Sequence, residues 1–216
     1  MTLLELQDLT LRSAGTTRVA SVNANVQPGR VTAVLGANGS GKSSLLALMA
    51  GQLAPTDGRV LLHGEAVHRM KPLQRARQLA WLGQSTPGAE AYSARDVITW
   101  GRTCRRVTRT AVTGDTGDLM ERLGIAHLAD KPLGRLSGGE RQRVHLARIW
   151  EQDAPVTLLD EPDAALDVAG RELLRQLITD ATDSGRSIVI VTHDRLWAQA
   201  VADEVWIMDA GTLTAQ

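Results

Sequence analysis

The segment GANGSGKSS, residues 36–44, has residue types and spacing that could bind phosphate. Gly36, Gly41, Lys42 and Ser43 meet the pattern G-x-x-x-x-G-K-S. Glycines let backbone N–H groups turn inward around phosphate oxygens, the lysine adds a positive charge, and the serine hydroxyl can bind Mg²⁺. An ordinary glycine-rich turn is the alternative, but it leaves the lysine and serine unexplained. We therefore predict a nucleoside triphosphate site with these candidate contacts: Gly36, Asn38, Gly39, Ser40, Gly41, Lys42, Ser43 and Ser44.

Two carboxylates, Asp160 and Glu161, end the apolar segment VTLLD. Open parallel sheets present ligands at the carboxyl edge of their strands, so we expect Asp160 to reach Mg²⁺ there. Neighbouring side chains of an extended strand point in opposite directions, so we expect Glu161 to face the terminal phosphate instead. In that position it could orient or deprotonate an attacking water. The alternative is that the pair caps the helix that follows.

His193 and Gln84 are further candidates for the same edge. His193 follows the apolar segment SIVIV and could bind a terminal-phosphate oxygen or the attacking water. Gln84 follows the short segment LAWLG and could contact Mg²⁺ or that water. The alternatives are a structural histidine and a surface glutamine.

The segment LSGGERQRV, residues 136–144, predicts a helix start and a second anion site. Ser137 followed three residues later by Glu140 is the pattern of a capping box. The capping box does not explain Gly138 and Gly139, since glycine in a first helical turn costs about 1 kcal/mol. Glycines allow another group to approach the backbone closely, and a helix start can bind an anion. Two copies of the chain, related by twofold symmetry, could each sandwich a nucleotide between this turn and the partner's phosphate loop.

The elements that must position these residues alternate between strand and helix, which indicates an α/β fold with a mostly parallel sheet. The apolar segments 31–36, 156–160 and 187–193 are typical of strands buried on both faces. The first thirty residues alternate apolar and polar positions, and with 58–64 they predict a flanking antiparallel lobe. Residues 85–150 have helical patterns and predict a helical lobe inserted into the core. We expect one domain over the whole chain.

The composition limits the possible partners. The 216 residues hold 24 Lys and Arg against 24 Asp and Glu, and this zero net charge gives no support for a nucleic-acid partner. Glu5 and Asp8 interrupt the start where a signal peptide would need an apolar run, and no run of about 18 apolar residues occurs. We expect a soluble chain, so any membrane must be spanned by another subunit. The single cysteine, Cys104, excludes an internal disulfide.

Five motifs in order resemble the nucleotide-binding subunit of ATP-binding cassette (ABC) transporters. They are the phosphate loop, Gln84, LSGGE, LLDEP with AALD (164–167), and His193. The resemblance implies a P-loop NTPase core that binds ATP and Mg²⁺, with Gln84 and Asp160 among the metal contacts beside Ser43. It implies that four residues act on ATP bound by the opposite subunit, and that Asp167 lies at the dimer interface. The four residues are Ser137, Gly138, Gly139 and Glu140.

The resemblance also implies the working state of the protein. ATP closes a homodimer or pseudo-dimer, which pulls on two transmembrane permease subunits, and hydrolysis reopens it. The expected location is the cytoplasmic face of the cell membrane, as a peripheral subunit. An importer would add a substrate-binding protein. The alternatives are an exporter, an importer of another substrate and a soluble ABC ATPase that works on nucleic acid. A small-molecule kinase with the same phosphate loop is a further alternative, which LSGGE argues against.

Three positions depart from the family pattern. The family stacks an aromatic residue on adenine near the N-terminus, and this sequence offers only Arg12 or Arg18 there. Glu140 stands where glutamine is more common. Asp163 replaces a usual threonine, and the sequence gives no account of it.

The segment ARDVITWGR, residues 94–102, is similar to one in importers of siderophores, haem and cobalamin. It favours a metal-chelate importer. The alternative is that Val97, Ile98 and Trp100 are core contacts. The next segment, RTCRRVTR (102–109), predicts a solvated face, with lipid headgroups or acidic partner loops as the alternative.

Overall fold

The computed structural model describes residues 3–13, 15–83, 88–105 and 116–215. Gln84 and the arginine-rich residues 106–109 lie outside these ranges. The predictions for them therefore stay predictions.

The centre of the molecule is a six-stranded sheet with the strand order β10-β9-β3-β8-β7-β6. Its strands are β3 (Val31–Leu35), β6 (Leu79–Leu82), β7 (Val156–Asp160), β8 (Ser187–Val191), β9 (Glu204–Asp209) and β10 (Thr212–Ala215). All neighbours are parallel except the β9–β10 pair. Every residue of β3, β7 and β8 is buried, which explains their unbroken apolar sequences. The predicted α/β class with a mostly parallel sheet is confirmed.

A second, antiparallel sheet has the order β2-β1-β4-β5. Its strands are β1 (Leu4–Ser13), β2 (Thr16–Val26), β4 (Asp57–Leu62) and β5 (Glu65–Ala66). Buried and more exposed residues alternate over the start of β1, because one face of the strand packs on the core. The predicted antiparallel lobe is therefore present.

The helices pack against the central sheet, and several of them lie between β6 and β7 in the sequence. They are α1 (Lys42–Met49), α2 (Pro72–Ala76), α3 (Ala94–Thr99), α4 (Thr116–Arg122), α5 (Gly138–Gln152), α6 (Val168–Asp183) and α7 (Arg195–Val201). Helices α3, α4 and α5 share a core of their own, which includes Ile98, Met120 and Val144. Within the described ranges, no helix is long and apolar enough to cross a membrane.

The segment 94–102 is explained in large part by packing. Val97 and Ile98 are fully buried, so the alternative of core contacts is correct for both. Trp100 is 37% exposed and lies edge-on against Tyr92, with ring centroids 4.9 Å apart. A Cβ on Gly101 would lie 2.1 Å from the carbonyl oxygen of Arg148, so α5 passes too close for any side chain. The segment by itself therefore does not identify a cargo.

The two described arginines at the start of the 102–109 run are not free surface charges. Arg102 Nε donates to Glu151 at 2.6 Å, and Arg105 lies 3.5 Å from the same carboxylate. Glu151 is only 5% exposed, so these contacts neutralise a buried charge on α5. Both side chains stay partly exposed, at 32% for Arg102 and 27% for Arg105, so the predicted solvated face is modified here by ion pairs with a carboxylate far away in sequence.

Replacing Gly101 with Ala tests the close contact between this segment and α5. The added methyl group must displace the backbone of Arg148, so we expect the free energy of unfolding to fall by about 1–3 kcal/mol. Arg95→Ala is the control, since this side chain is half exposed and forms a long ion pair of 3.9 Å. It should change stability by less than about 0.5 kcal/mol. Equal stability of Gly101→Ala and wild type in urea unfolding would contradict the packing described.

Candidate functional site

The phosphate-loop segment borders a cavity of about 400 Å³ between β3 and α1. The cavity is lined by Arg18, Asn38, Gly39, Gly41, Lys42, Ser43, Ser44 and Glu161. Most of the predicted nucleotide contacts therefore meet at one place, together with the carboxylate predicted to activate water. Of the two arginines proposed for adenine, only Arg18 lines this cavity. Arg12 instead pairs with Asp57 at 3.5 Å.

Two glycines of the loop are required by neighbouring backbone. A Cβ on Gly36 would lie 2.1 Å from the carbonyl oxygen of Met208, which belongs to β9. A Cβ on Gly41 would lie 2.2 Å from the carbonyl oxygen of Arg18, and Gly41 also has a φ of +109°. The loop is thus held between β9 and β2, which fixes its backbone around the cavity.

Lys42 is the buried cation of the site. Its side chain belongs to a residue only 6% exposed, and Nζ donates to the carbonyl oxygens of Gly36 and Ala37, both at 2.9 Å. These acceptors are neutral, so they hold the ammonium in place without cancelling its charge. The arrangement favours an anion in the adjacent cavity.

Ser43 and Asp160 meet at the end of the central sheet. Ser43 Oγ donates to Asp160 Oδ1 at 3.2 Å. Burial raises the pKa of Asp160, and the charge of Glu161 adds to this effect, whereas the Ser43 hydrogen bond and Lys42 oppose it. A divalent cation would stabilise the ionised form of this carboxylate.

The oxygen atoms of Ser43 and Asp160 fit a Mg²⁺ ion. Mg²⁺ prefers oxygen ligands, and in nucleotide sites it needs only one or two protein groups besides phosphate and water. Within the described ranges, no cluster of three or more His, Cys, Asp or Glu side chains could hold a metal alone. Phosphate oxygens from a nucleotide would therefore have to complete the coordination.

Glu161 lines the cavity, but its backbone does not continue the extended strand that the sequence analysis assumes. Strand β7 ends at Asp160, and Glu161 adopts a left-handed conformation with a φ of +49°. The prediction that strand alternation sets the direction of Glu161 is therefore wrong, because the strand has already ended. Its N–H donates to the carbonyl oxygen of Val191 at 2.9 Å, which ties the turn to β8. Neither carboxylate caps the next helix, since Asp167 caps α6.

His193 follows β8 and is exposed in this chain. It is not among the residues that line the phosphate-loop cavity. The structure therefore leaves its contact with a terminal phosphate as a prediction, as it does for Gln84.

The turn at Ser137 forms the predicted capping box, which is confirmed. Ser137 Oγ accepts from the N–H of Glu140 at 3.3 Å, and the Glu140 carboxylate accepts from the N–H of Ser137 at 2.8 Å. The hydrogen bonds from Ser137 lower the pKa of Glu140. The negative charge of Glu140 is therefore held at the helix start by its own capping contacts.

The paired glycines of this turn have different surroundings. A Cβ on Gly139 would lie 2.9 Å from the carbonyl oxygen of Ala165, so the loop before α6 explains this glycine within the chain. A Cβ on Gly138 would meet nothing within 4 Å. Gly138 therefore leaves open space on the outer side of the turn.

A second cavity, of about 330 Å³, lies beside this turn. It is lined by Gly124, Ile125, His127, Ser137, Gly139, Glu140, Arg143, Ala165 and Asp167. Asp167 accepts from the N–H of Gly170 and from Arg143 Nη2, both at 2.8 Å, and these contacts lower its pKa. Sequence reasoning missed Arg143, although its position three residues after Glu140 places both on one helix face. The two cavities share no lining residue.

Comparisons with known proteins agree on one family. The family model described as ABC transporter matches residues 19–164. The hemin import ATP-binding protein HmuV of Nocardia farcinica is 40% identical over 88% of this chain and 67% of its own length. The cobalamin import ATP-binding protein BtuD of Halobacterium salinarum is 37% identical over 96% of this chain, which spans 53% of that protein. A bacterial ABC transporter cassette solved as a dimer has the same fold, with a TM-score of 0.85, 23% identity and coverage of 98% and 96%.

Replacing Gly138 and Gly139 separately with Ala distinguishes their roles. The methyl group added by Gly139→Ala must displace the Ala165 carbonyl, so we expect the free energy of unfolding to fall by about 1 kcal/mol or more. The methyl group added by Gly138→Ala has free space, and Ala has a better helix propensity than Gly. The free energy of unfolding should therefore stay unchanged or rise by up to about 1 kcal/mol. Chemical unfolding of both variants measures this, and equal losses of stability would contradict the described surroundings.

Proposed function

The chain belongs to the ABC transporter family and is an ATPase, and we propose that it powers the import of a metal chelate as a peripheral subunit. The observation that carries the ATPase chemistry is the single cavity that holds Lys42, Ser43 and Glu161. We propose that the whole chain forms one ATPase domain, in which the helices between β6 and β7 form an inserted lobe.

The phosphates of ATP would occupy the first cavity. Backbone N–H groups of the loop and the start of α1 would donate to phosphate oxygens, and Lys42 would balance the negative charge of the phosphates. Ser43 and Asp160 would hold Mg²⁺ together with phosphate oxygens, and Gln84 would join them. Bound Mg²⁺ would supply charge neutralisation at the β- and γ-phosphates. Arg18 is the described candidate for a contact with the base.

Glu161 would act on the attacking water. It lines the same cavity as Lys42 and Ser43, which supports a position beside the terminal phosphate. It would accept a hydrogen bond from the water and orient or deprotonate it. His193 would donate to a terminal-phosphate oxygen, which stabilises the charge that builds up as the bond breaks.

The site would be completed by a second copy of the chain or by a related subunit. One chain keeps the phosphate loop and the Ser137 turn in separate cavities, and Gly138 leaves open space beside the second. In a twofold dimer, Ser137, Gly138, Gly139 and Glu140 would contact ATP bound by the partner. Asp167, which is exposed, would lie at the interface. The solved cassette with the same fold is a dimer, which supports this arrangement.

The proposed cargo is a haem, cobalamin or siderophore-like chelate. The support is the identity of 37–40% to proteins named for hemin and cobalamin import. The chain would work at the cytoplasmic face of the membrane with transmembrane permease subunits, and a substrate-binding protein would deliver the cargo. Co-purification of the subunit from its native membrane, followed by ATPase assays with hemin, cobalamin and ferric siderophores, tests this proposal. Stimulation only by unrelated solutes would contradict it, while leaving the ATPase assignment intact.

Replacing Glu161 with Gln tests the role of this carboxylate. Glutamine keeps the shape but accepts no proton, so we expect ATP turnover to fall by roughly 100-fold or more while ATP binding stays near wild type. Steady-state phosphate release and equilibrium nucleotide binding measure the two effects. Glu172→Gln, an exposed change on α6, is the matched control and should keep normal turnover. Near-normal turnover of Glu161→Gln would remove this residue from the role of base.

A further inference from the structure

Asp163 is a fully buried carboxylate for which the family pattern gives no role. It lies between β7 and α6 with 0% exposure. Its Oδ2 accepts from Thr192 Oγ1 at 3.2 Å and lies 3.7 Å from Arg171 Nη2. Its Oδ1 is buried and has no hydrogen-bond partner among the described residues. A buried carboxylate with incomplete bonding is costly, so its presence calls for an explanation.

Asp163 is linked through its contacts to Thr192 and Asp194, the residues on both sides of His193. Thr192, which donates to Asp163, also accepts from the N–H of Asp194 at 3.1 Å. Arg171, the ionic partner of Asp163, donates to Asp194 Oδ2 at 2.7 Å. One carboxylate and one arginine therefore hold the backbone turn on each side of His193.

The same carboxylate is close in sequence to Glu161. Asp163 follows it by two residues, and the N–H of Glu161 donates to the carbonyl oxygen of Val191 at 2.9 Å. Beyond the pairing of β7 with β8, the residues that follow β7 are joined to the end of β8 through the backbone at Val191 and through the Asp163–Thr192 hydrogen bond. The hydrogen bond from Thr192 requires an acceptor at position 163. The contact with Arg171 requires a negative charge there.

We propose that Asp163 is a positioning residue, which acts through Thr192 and Arg171 to hold the turn of His193 at a fixed place relative to Glu161. This inference rests on the proposed role of His193 in ATP hydrolysis. A threonine at position 163 would carry no charge for Arg171, so this chain orients the turn with an ionic contact in place of a hydroxyl group.

Replacing Asp163 with Asn tests the proposal, because the amide keeps the shape and removes the charge that attracts Arg171. We expect kcat for ATP hydrolysis to fall about tenfold while KM changes less than about twofold, since the phosphate loop is untouched. Arg171→Gln, at a partly exposed side chain, should show the same loss without removing a buried group. The matched control is Glu151→Gln, at a carboxylate 5% exposed and also paired with arginine, which should leave kcat within about twofold.

A double-mutant cycle with His193→Ala separates positioning from a general structural effect. If Asp163 acts through His193, then Asp163→Asn lowers kcat about tenfold in the wild type and causes no further loss in His193→Ala. A tenfold loss in both backgrounds, or normal kcat for Asp163→Asn and Arg171→Gln, would overturn the inference. Normal turnover of His193→Ala alone would show that the histidine has no catalytic role, and the inference would fail with that role. Glu161→Gln tests the hydrolytic function independently.

Discussion

The site depends on a buried positive charge whose described hydrogen bonds go to neutral backbone carbonyls. Lys42 is 6% exposed, and the described contacts of its ammonium group are two backbone carbonyls of its own loop. Two carbonyl acceptors leave one of the three N–H donors of the ammonium group without a described acceptor, so an anion that enters the cavity would complete its hydrogen bonds. The close approach of Met208 and Arg18 to loop glycines keeps the backbone in this shape before any nucleotide binds. Part of the entropic cost of ordering the loop is therefore met during folding.

A second constraint is that one chain separates the two turns that are predicted to bind anions. The turn at Ser137 belongs to a cavity that shares no lining residue with the phosphate loop. Its capping box joins Ser137 to Glu140 within the chain, and the Ala165 carbonyl leaves no room for a side chain at Gly139. Gly138 faces open space, which a partner molecule could fill. The proposal of a shared site rests on this difference between adjacent glycines.

The sequence was sufficient for features that depend on local chemistry. Unbroken apolar segments identified β3, β7 and β8, because strands buried on both faces need apolar side chains on both. The Ser137–Glu140 spacing identified a capping box, because its hydrogen bonds join residues three positions apart.

Features that depend on tertiary packing could not be predicted in the same way. The left-handed conformation of Glu161 is invisible to an argument that assumes a continuing strand. The pairing of Arg102 with Glu151 joins residues 49 positions apart, and it gives a partly exposed arginine a buried carboxylate as its partner. Arg18 lines the first cavity and Arg12 does not, because β2 packs against the phosphate loop at Arg18.

The most direct test of the shared site mixes two inactive variants, Lys42→Ala and Ser137→Arg. The first lacks the cation of the phosphate loop, and the second blocks the turn that would cover the partner's nucleotide. A mixed dimer keeps one intact site, built from the loop of one chain and the turn of the other. The account predicts that the mixture regains ATP-dependent pairing and roughly a quarter of wild-type turnover, since about half of the dimers are mixed and each has one of two sites. A mixture that forms no ATP-dependent dimer, and is no more active than its separate components, would contradict it.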